Sequence, residues 1–315
     1  MISRIINNIF VSRNFRHQQS NNSGNIQFYN WWSQRTEDIW LYRFVKNRGI
    51  LEDTNKTICF CSVLGNRAVD EMINEGVKVF FTGENIHQKL YQQYADYMLD
   101  DHKTDLALGF DFLDNDRYLR FPLWVMYMFA PESGYDDIKR RCNELRFPQI
   151  GNRNKFAALI SRFDKNGLRK EIYDSVSQIG RIDCPGVLLH NDDSLVSDFG
   201  DNKVKYLKQF VFNICPENSD NYGYVTEKCW QAIQAGCIPI YSGSCNKPEE
   251  GILNHNAIIF WNNGTGLETI RELHNDKDAI DHFLHQPRLL PDAEDLISEM
   301  FYSLESRLSS LLKQI

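Results

Sequence analysis

Apolar residues fall into two alternating rhythms along the first half of the chain. Short strand-like runs at Ile26-Gln27-Phe28-Tyr29, 57–63, 77–82 and 106–110 are separated by stretches of helical spacing at 35–47, around 67–75 and around 87–97. Strands separated by helices predict parallel βαβ units, because a parallel return needs a crossover. The segment 123–130 feeds a basic helical stretch at 135–145. Residues 146–152, with Pro148 and Gly151 among polar neighbours, then read as a linker.

The alternation resumes beyond the linker. It predicts strands at 156–161, Val187-Leu188-Leu189, 210–215 and 238–241, with helices at 168–179, 201–209 and 225–235. Two similar halves joined by one linker predict an α/β protein of two doubly wound, Rossmann-like domains facing a cleft. The expected boundaries are 1–150, 151–290 and a terminal helix at 291–315. That helix carries Leu296, Ile297, Phe301, Leu304, Leu308 and Leu311 at helical spacing. Docking back on the body is its expected use, with dimerisation or membrane attachment as alternatives.

Composition narrows the class. A 42% hydrophobic and 24% charged content excludes disorder. The formal charge of −7, with no basic patch, argues against a nucleic-acid partner. No apolar run reaches the ~20 residues of a membrane span. The basic segment 1–16, with Ile2, Ile5, Ile6, Ile9 and Phe10 beside Arg4, Arg13 and Arg16, is too broken for a signal core and is expected to be frayed or packed. Residues 18–25 read as a polar lead-in. The eight cysteines form no C-x-x-C pair, so a structural zinc is not expected, and reduced thiols in the cytoplasm are the simplest reading. Peripheral membrane contact through the N-terminal segment is the alternative location. Asn55-Lys56-Thr57 and Asn263-Gly264-Thr265 spell glycosylation sequons, read as chance without a secretory signal.

The most informative stretch is Phe212 to Lys228, where a strand runs into a polar loop holding Glu217-Asn218-Ser219 and then into a helix. A helix N-terminus at a strand's carboxyl edge favours an anion such as a pyrophosphate, and Lys228 adds a full charge. Glu227 would repel phosphate and suits the hydroxyls of a nucleotide's sugar. The bland alternative, a dipole-complementing Glu227 beside a solvated Lys228, is open on these grounds alone.

Glu217-Asn218-Ser219, Tyr224-Val225-Thr226-Glu227-Lys228 and Ile238-Pro239-Ile240-Tyr241-Ser242-Gly243 resemble the signature of the α1,3/1,4-fucosyltransferases, glycosyltransferase family ten. Phe80-Phe81-Thr82-Gly83-Glu84-Asn85, Leu108-Gly109-Phe110-Asp111, Arg117 to Leu123 and Asn30-Trp31-Trp32 resemble its N-terminal motifs, so the resemblance covers roughly residues 26–262. It implies a GT-B fold with acceptor binding in the first domain and GDP-fucose binding in the second. Arg169 and Lys228 would then neutralise the diphosphate, Asn218, Tyr224 and Glu227 would complete the donor site, and Glu84 would be the catalytic base. The chain departs from the family pattern at Arg162, Pro216 and Ser242. The bland readings are an exposed helical Arg169, a core Tyr224 and a strand-end Glu84 bonded to backbone amides.

The implied reaction is inverting transfer of L-fucose from GDP-fucose to a GlcNAc hydroxyl of an N-acetyllactosamine-type glycan. It needs a base, a cationic clamp for the departing GDP, and no metal or other cofactor. Asp114-Asn115-Asp116 imitates a metal-binding triplet but reads as a loop. The alternatives are a same-fold glycosyltransferase with another nucleotide sugar and a non-catalytic glycan-binding protein.

Overall fold

The computed structural model describes residues 24–314 apart from 33, 72, 74 and 99–102; the basic segment 1–16 and most of the polar lead-in lie outside the described residues. The chain forms two compact units, Met1–Gly134 with Ser298–Ile315, and Tyr135–Ile297.

The first unit holds a five-stranded parallel sheet of β1 (Ile26–Tyr29), β2 (Ile58–Cys61), β3 (Val77–Phe81), β4 (Leu106–Gly109) and β5 (Tyr118–Arg120), hydrogen-bonded in that order. Every residue of β2 and β4 is buried, as expected of parallel strands covered on both faces. Cys59 and Cys61 are both buried, where they serve as small apolar residues. The region expected to be helical at 87–97 instead forms a 3-10 helix, Gln92–Met98, and β5 was not anticipated as a strand. The helix Ala293–Gln314 buries Ile297, Phe301, Leu304, Leu308 and Leu312, one residue per turn. Phe301 packs with Trp40 at 5.5 Å, Phe44 at 6.1 Å and Phe121 at 6.1 Å between ring centres.

The second unit holds β6 (Lys155–Leu159), β7 (Ile182–Asp183), β8 (Phe210–Ile214), β9 (Ile238–Tyr241) and β10 (Ile259–Phe260), all parallel, in the order β10-β9-β8-β6-β7. The order reverses between β6 and β8, the mark of a doubly wound sheet. The first sheet shows no such reversal among the described residues. Pro239 is tolerated inside β9 because β10 pairs only from Ile240 onward, so no ladder partner awaits its missing N–H. The buried core is built from Ala157, Leu159, Ile172, Phe212, Ile214, Ile238, Ile240 and Trp261.

Two expectations for this unit need correction. Val187-Leu188-Leu189 is a turn: Pro185-Gly186 ends the strand at Asp183, and Leu189 takes a positive φ of 54° that no strand allows. The helix expected from Val225 begins at Glu227, with Thr226 as its N-cap and Gly236 closing it in the left-handed conformation.

Candidate active site

The strand reversal places the loops after β6 and β8 side by side at the carboxyl edge of the second sheet, where doubly wound folds bind ligands. A cavity of about 950 Å³ opens there. Its walls are Ile160 to Phe163 after β6, Pro185 to Val187 with His190 after β7, Cys215, Pro216 and Asn218 after β8, and Arg169, Glu227, Lys228 and Gln231 from the two following helices.

Arg169 enters from the helix Leu168–Val176. That helix starts at Gly167, held at φ 79°, and Asp164 accepts the backbone N–H groups of Arg169 at 3.1 Å and Lys170 at 2.9 Å. The Arg169 side chain is buried, which corrects the alternative of an exposed helix residue. Its guanidinium donates to the carbonyls of Phe163 and Pro216, both at 3.1 Å, and to Asn218 Oδ1 at 2.9 Å. Burial lowers its pKa, opposed by Asp164, Glu217 and Tyr224. A planar fork of donors thus ties the loops after β6 and β8 together and carries positive charge to the cavity wall.

Lys228 stands in the first turn of the helix Glu227–Ala235. Its ammonium donates to Glu217 Oε2 at 3.0 Å and to Thr226 Oγ1 at 2.8 Å. Burial would lower its pKa, but the carboxylates of Glu217 and Glu227 outweigh that and hold it above the ordinary lysine value. Lys228 therefore stays a cation across the physiological range. The Thr226 hydroxyl is turned to Glu217 at 2.6 Å, and no side chain caps the helix. This end of the helix suits an anionic ligand.

Of the residues singled out from the sequence, Arg169, Asn218, Glu227 and Lys228 come together on this one cavity. Tyr224 is buried outside its lining. Glu84 belongs to the first unit and follows β3 directly, half-buried, with its backbone N–H donating to Thr82 Oγ1 at 3.2 Å. Burial and the nearby Glu84 push the Tyr91 hydroxyl up to about 12. Asp114-Asn115-Asp116 is a loop before β5, and no group of three or more potential metal ligands occurs among the described residues. Among those residues no helix is long and apolar enough to cross a membrane.

Two family descriptions match the two units in order. The α-(1,3)-fucosyltransferase FucT N-terminal domain matches residues 26–127, and the C-terminal region of glycosyltransferase family 10 (fucosyltransferase) matches residues 150–284. The chain belongs to glycosyltransferase family 10. Among family relatives, α-(1,3)-fucosyltransferase FucT of Helicobacter pylori is 28% identical over 239 residues, which cover 66% of this chain and 46% of the relative. The chain thus spans about half the length of that relative. A crystal structure of an α1,3-fucosyltransferase superposes with a TM-score of 0.64 at 23% identity, covering 92% of this chain and 90% of that one. A second, of an α1,3-fucosyltransferase with GDP-fucose, gives 0.56 at 23% identity over 89% of each. With the two parallel sheets, these neighbours bear out the expected α/β fold of GT-B type.

Within this family 10 chain, Arg162 and Pro216, two of the positions that depart from the family pattern, line the cavity. Glu217 was read only as part of a motif. It is the buried anion behind Lys228, held in the loop between β8 and the lysine-bearing helix.

Proposed function

We propose that this protein is an inverting fucosyltransferase that moves L-fucose from GDP-fucose to O3 of GlcNAc in an N-acetyllactosamine-type glycan. The observation that carries the reading is the cavity at the strand reversal, where Arg169, Lys228, Asn218 and Glu227 converge in a chain of the fucosyltransferase family. Two cations suit a diphosphate, and the wider cavity has room for a nucleoside. The solved neighbour of the same fold that carries GDP-fucose agrees with this donor.

In the proposed step the acceptor oxygen bonds to C1 of fucose as the C1–O bond to the diphosphate breaks. GDP leaves with the electron pair, stabilised by Arg169 and Lys228, and the acceptor proton passes to the Glu84 carboxylate. One displacement converts the β-linked donor to an α-fucoside. Charge that a divalent cation would otherwise supply comes from the two side chains, so the reaction needs no metal.

The test is to incubate protein, GDP-fucose and N-acetyllactosamine and to read the product by NMR. An α-fucosyl signal on GlcNAc O3 is the expected product. A β-linked product would contradict the single displacement. Transfer from another nucleotide sugar, or glycan binding without transfer, would replace the reading.

A further inference from the structure

Lys228 is aimed from behind the cavity wall. Glu217 does not line the cavity, whereas its neighbours Pro216 and Asn218 do, and its side chain is 0% exposed. Its Oε1 accepts the Thr226 backbone N–H at 2.7 Å, and its Oε2 accepts the Thr226 hydroxyl at 2.6 Å and the Lys228 ammonium at 3.0 Å. The Thr226 hydroxyl, whose O–H is donated to Glu217, accepts a second N–H of Lys228 at 2.8 Å. An ammonium has three N–H groups in tetrahedral array, so fixing two fixes the direction of the third. Glu217 is itself pinned, because its backbone N–H donates to Ser242 O at 2.9 Å.

We propose that Glu217 is a positioning residue for donor binding: with Thr226 as the bridge, it holds the Lys228 ammonium so that the third N–H meets a phosphate oxygen of the ligand. The proposal rests on the donor reading of the cavity. Glu217 also compensates a largely buried cation that would otherwise lose its bonded countercharge beside Arg169. The charged groups acting on Lys228 are Glu217 from the loop after β8, Glu227 from its own helix and Arg169 from the neighbouring helix. Every group bonded to the Glu217 carboxylate is a donor, so a carboxamide there turns an N–H toward at least one of them.

The experiment is calorimetric binding of GDP and of inorganic pyrophosphate to wild type, Glu217→Gln, Thr226→Val and Lys228→Ala, over about pH 7 to 10, with each variant's melting temperature recorded. Pyrophosphate reads the phosphate end alone. Glu217→Gln is expected to weaken both ligands by about tenfold. It should also give an affinity that falls more steeply with rising pH than that of wild type, whose profile carries only the ligands' own titration, because Lys228 loses the carboxylate bonded to it. A merely structural loss would not add that slope. Thr226→Val is expected to weaken both by about threefold and decides the matter if Glu217→Gln does not fold. Binding lost in Lys228→Ala but retained at wild-type strength and pH profile in Glu217→Gln, or at wild-type strength in Thr226→Val, would overturn this proposal alone. Wild type that binds neither ligand would overturn the donor reading and this proposal with it.

Discussion

A Cβ on Gly243 would stand 2.9 Å from Cβ of Glu217 and 2.8 Å from its Cγ. The two residues lie in separate motifs that the second sheet brings together, since Glu217 follows β8 and Gly243 follows β9. Gly243 also takes a φ of 149°, and its Cβ would press on the Tyr241 hydroxyl at 3.0 Å. Glycine is required there because the Glu217 side chain occupies the space a larger residue would need.

Gly243→Ala should therefore destabilise the second unit by about 1–3 kcal/mol and displace Glu217. Differential scanning calorimetry should show a lower melting temperature, and GDP should bind more weakly. An unchanged melting temperature would mean that the loop relaxes without cost.

Arg169→Lys should damage both fold and donor binding. The guanidinium satisfies two backbone carbonyls and Asn218 at once, and a single ammonium cannot reproduce that planar fork. A loss of about 1–3 kcal/mol in stability is expected, together with weaker GDP binding at neutral pH, read by urea denaturation and calorimetry.

Lys228→Ala and Glu84→Gln should separate binding from chemistry. The first should weaken GDP by about ten- to a hundredfold. The second should leave GDP affinity near wild type while lowering transfer by at least about a hundredfold. Near-normal turnover in Glu84→Gln would remove it as the base.

Asp70 gives the first unit a pH-dependent stability. Its carboxyl is buried, with Oδ1 accepting from Asn30 at 2.8 Å and Oδ2 without a hydrogen-bond partner among the described residues. Burial, only partly offset by Asn30, Lys78 and Arg67, raises its pKa to about 7. The unfolded chain loses this proton near about pH 4. Between these values folding takes up a proton, so stability falls as pH rises through the window and stays low above it. Asp70→Asn should remove that slope and stabilise the protein above neutral pH by on the order of 2 kcal/mol, read as melting temperature against pH.

Transfer should persist in excess EDTA at close to the untreated rate, because in the proposed step Arg169 and Lys228 supply the charge the leaving GDP needs. Activity abolished by EDTA and restored by a divalent cation would contradict that.

Strand positions were legible where a buried parallel strand makes an unbroken apolar run, as in Ile58–Cys61 and Ile238–Tyr241. The same signal misled at Val187-Leu188-Leu189, an equally apolar run whose backbone is set by Pro185-Gly186 before it. Ile259–Phe260 is too short to announce itself. The late start of the helix at Glu227 reflects a tertiary contact, the Thr226 hydroxyl on Glu217, which local periodicity does not encode. That Arg169, Asn218, Glu227 and Lys228 would share one cavity was legible through motif chemistry. The burial of the Glu217 side chain against Lys228 was hidden because Gly243, which leaves it room, lies in a distant motif.

The most direct measurement is GDP release by purified protein from GDP-fucose, with and without N-acetyllactosamine, against GDP-mannose, UDP-galactose and UDP-GlcNAc. Acceptor-stimulated release from GDP-fucose alone is the predicted result. Silence with every donor, or acceptor-stimulated release from one of the other sugars in place of GDP-fucose, would contradict the assignment.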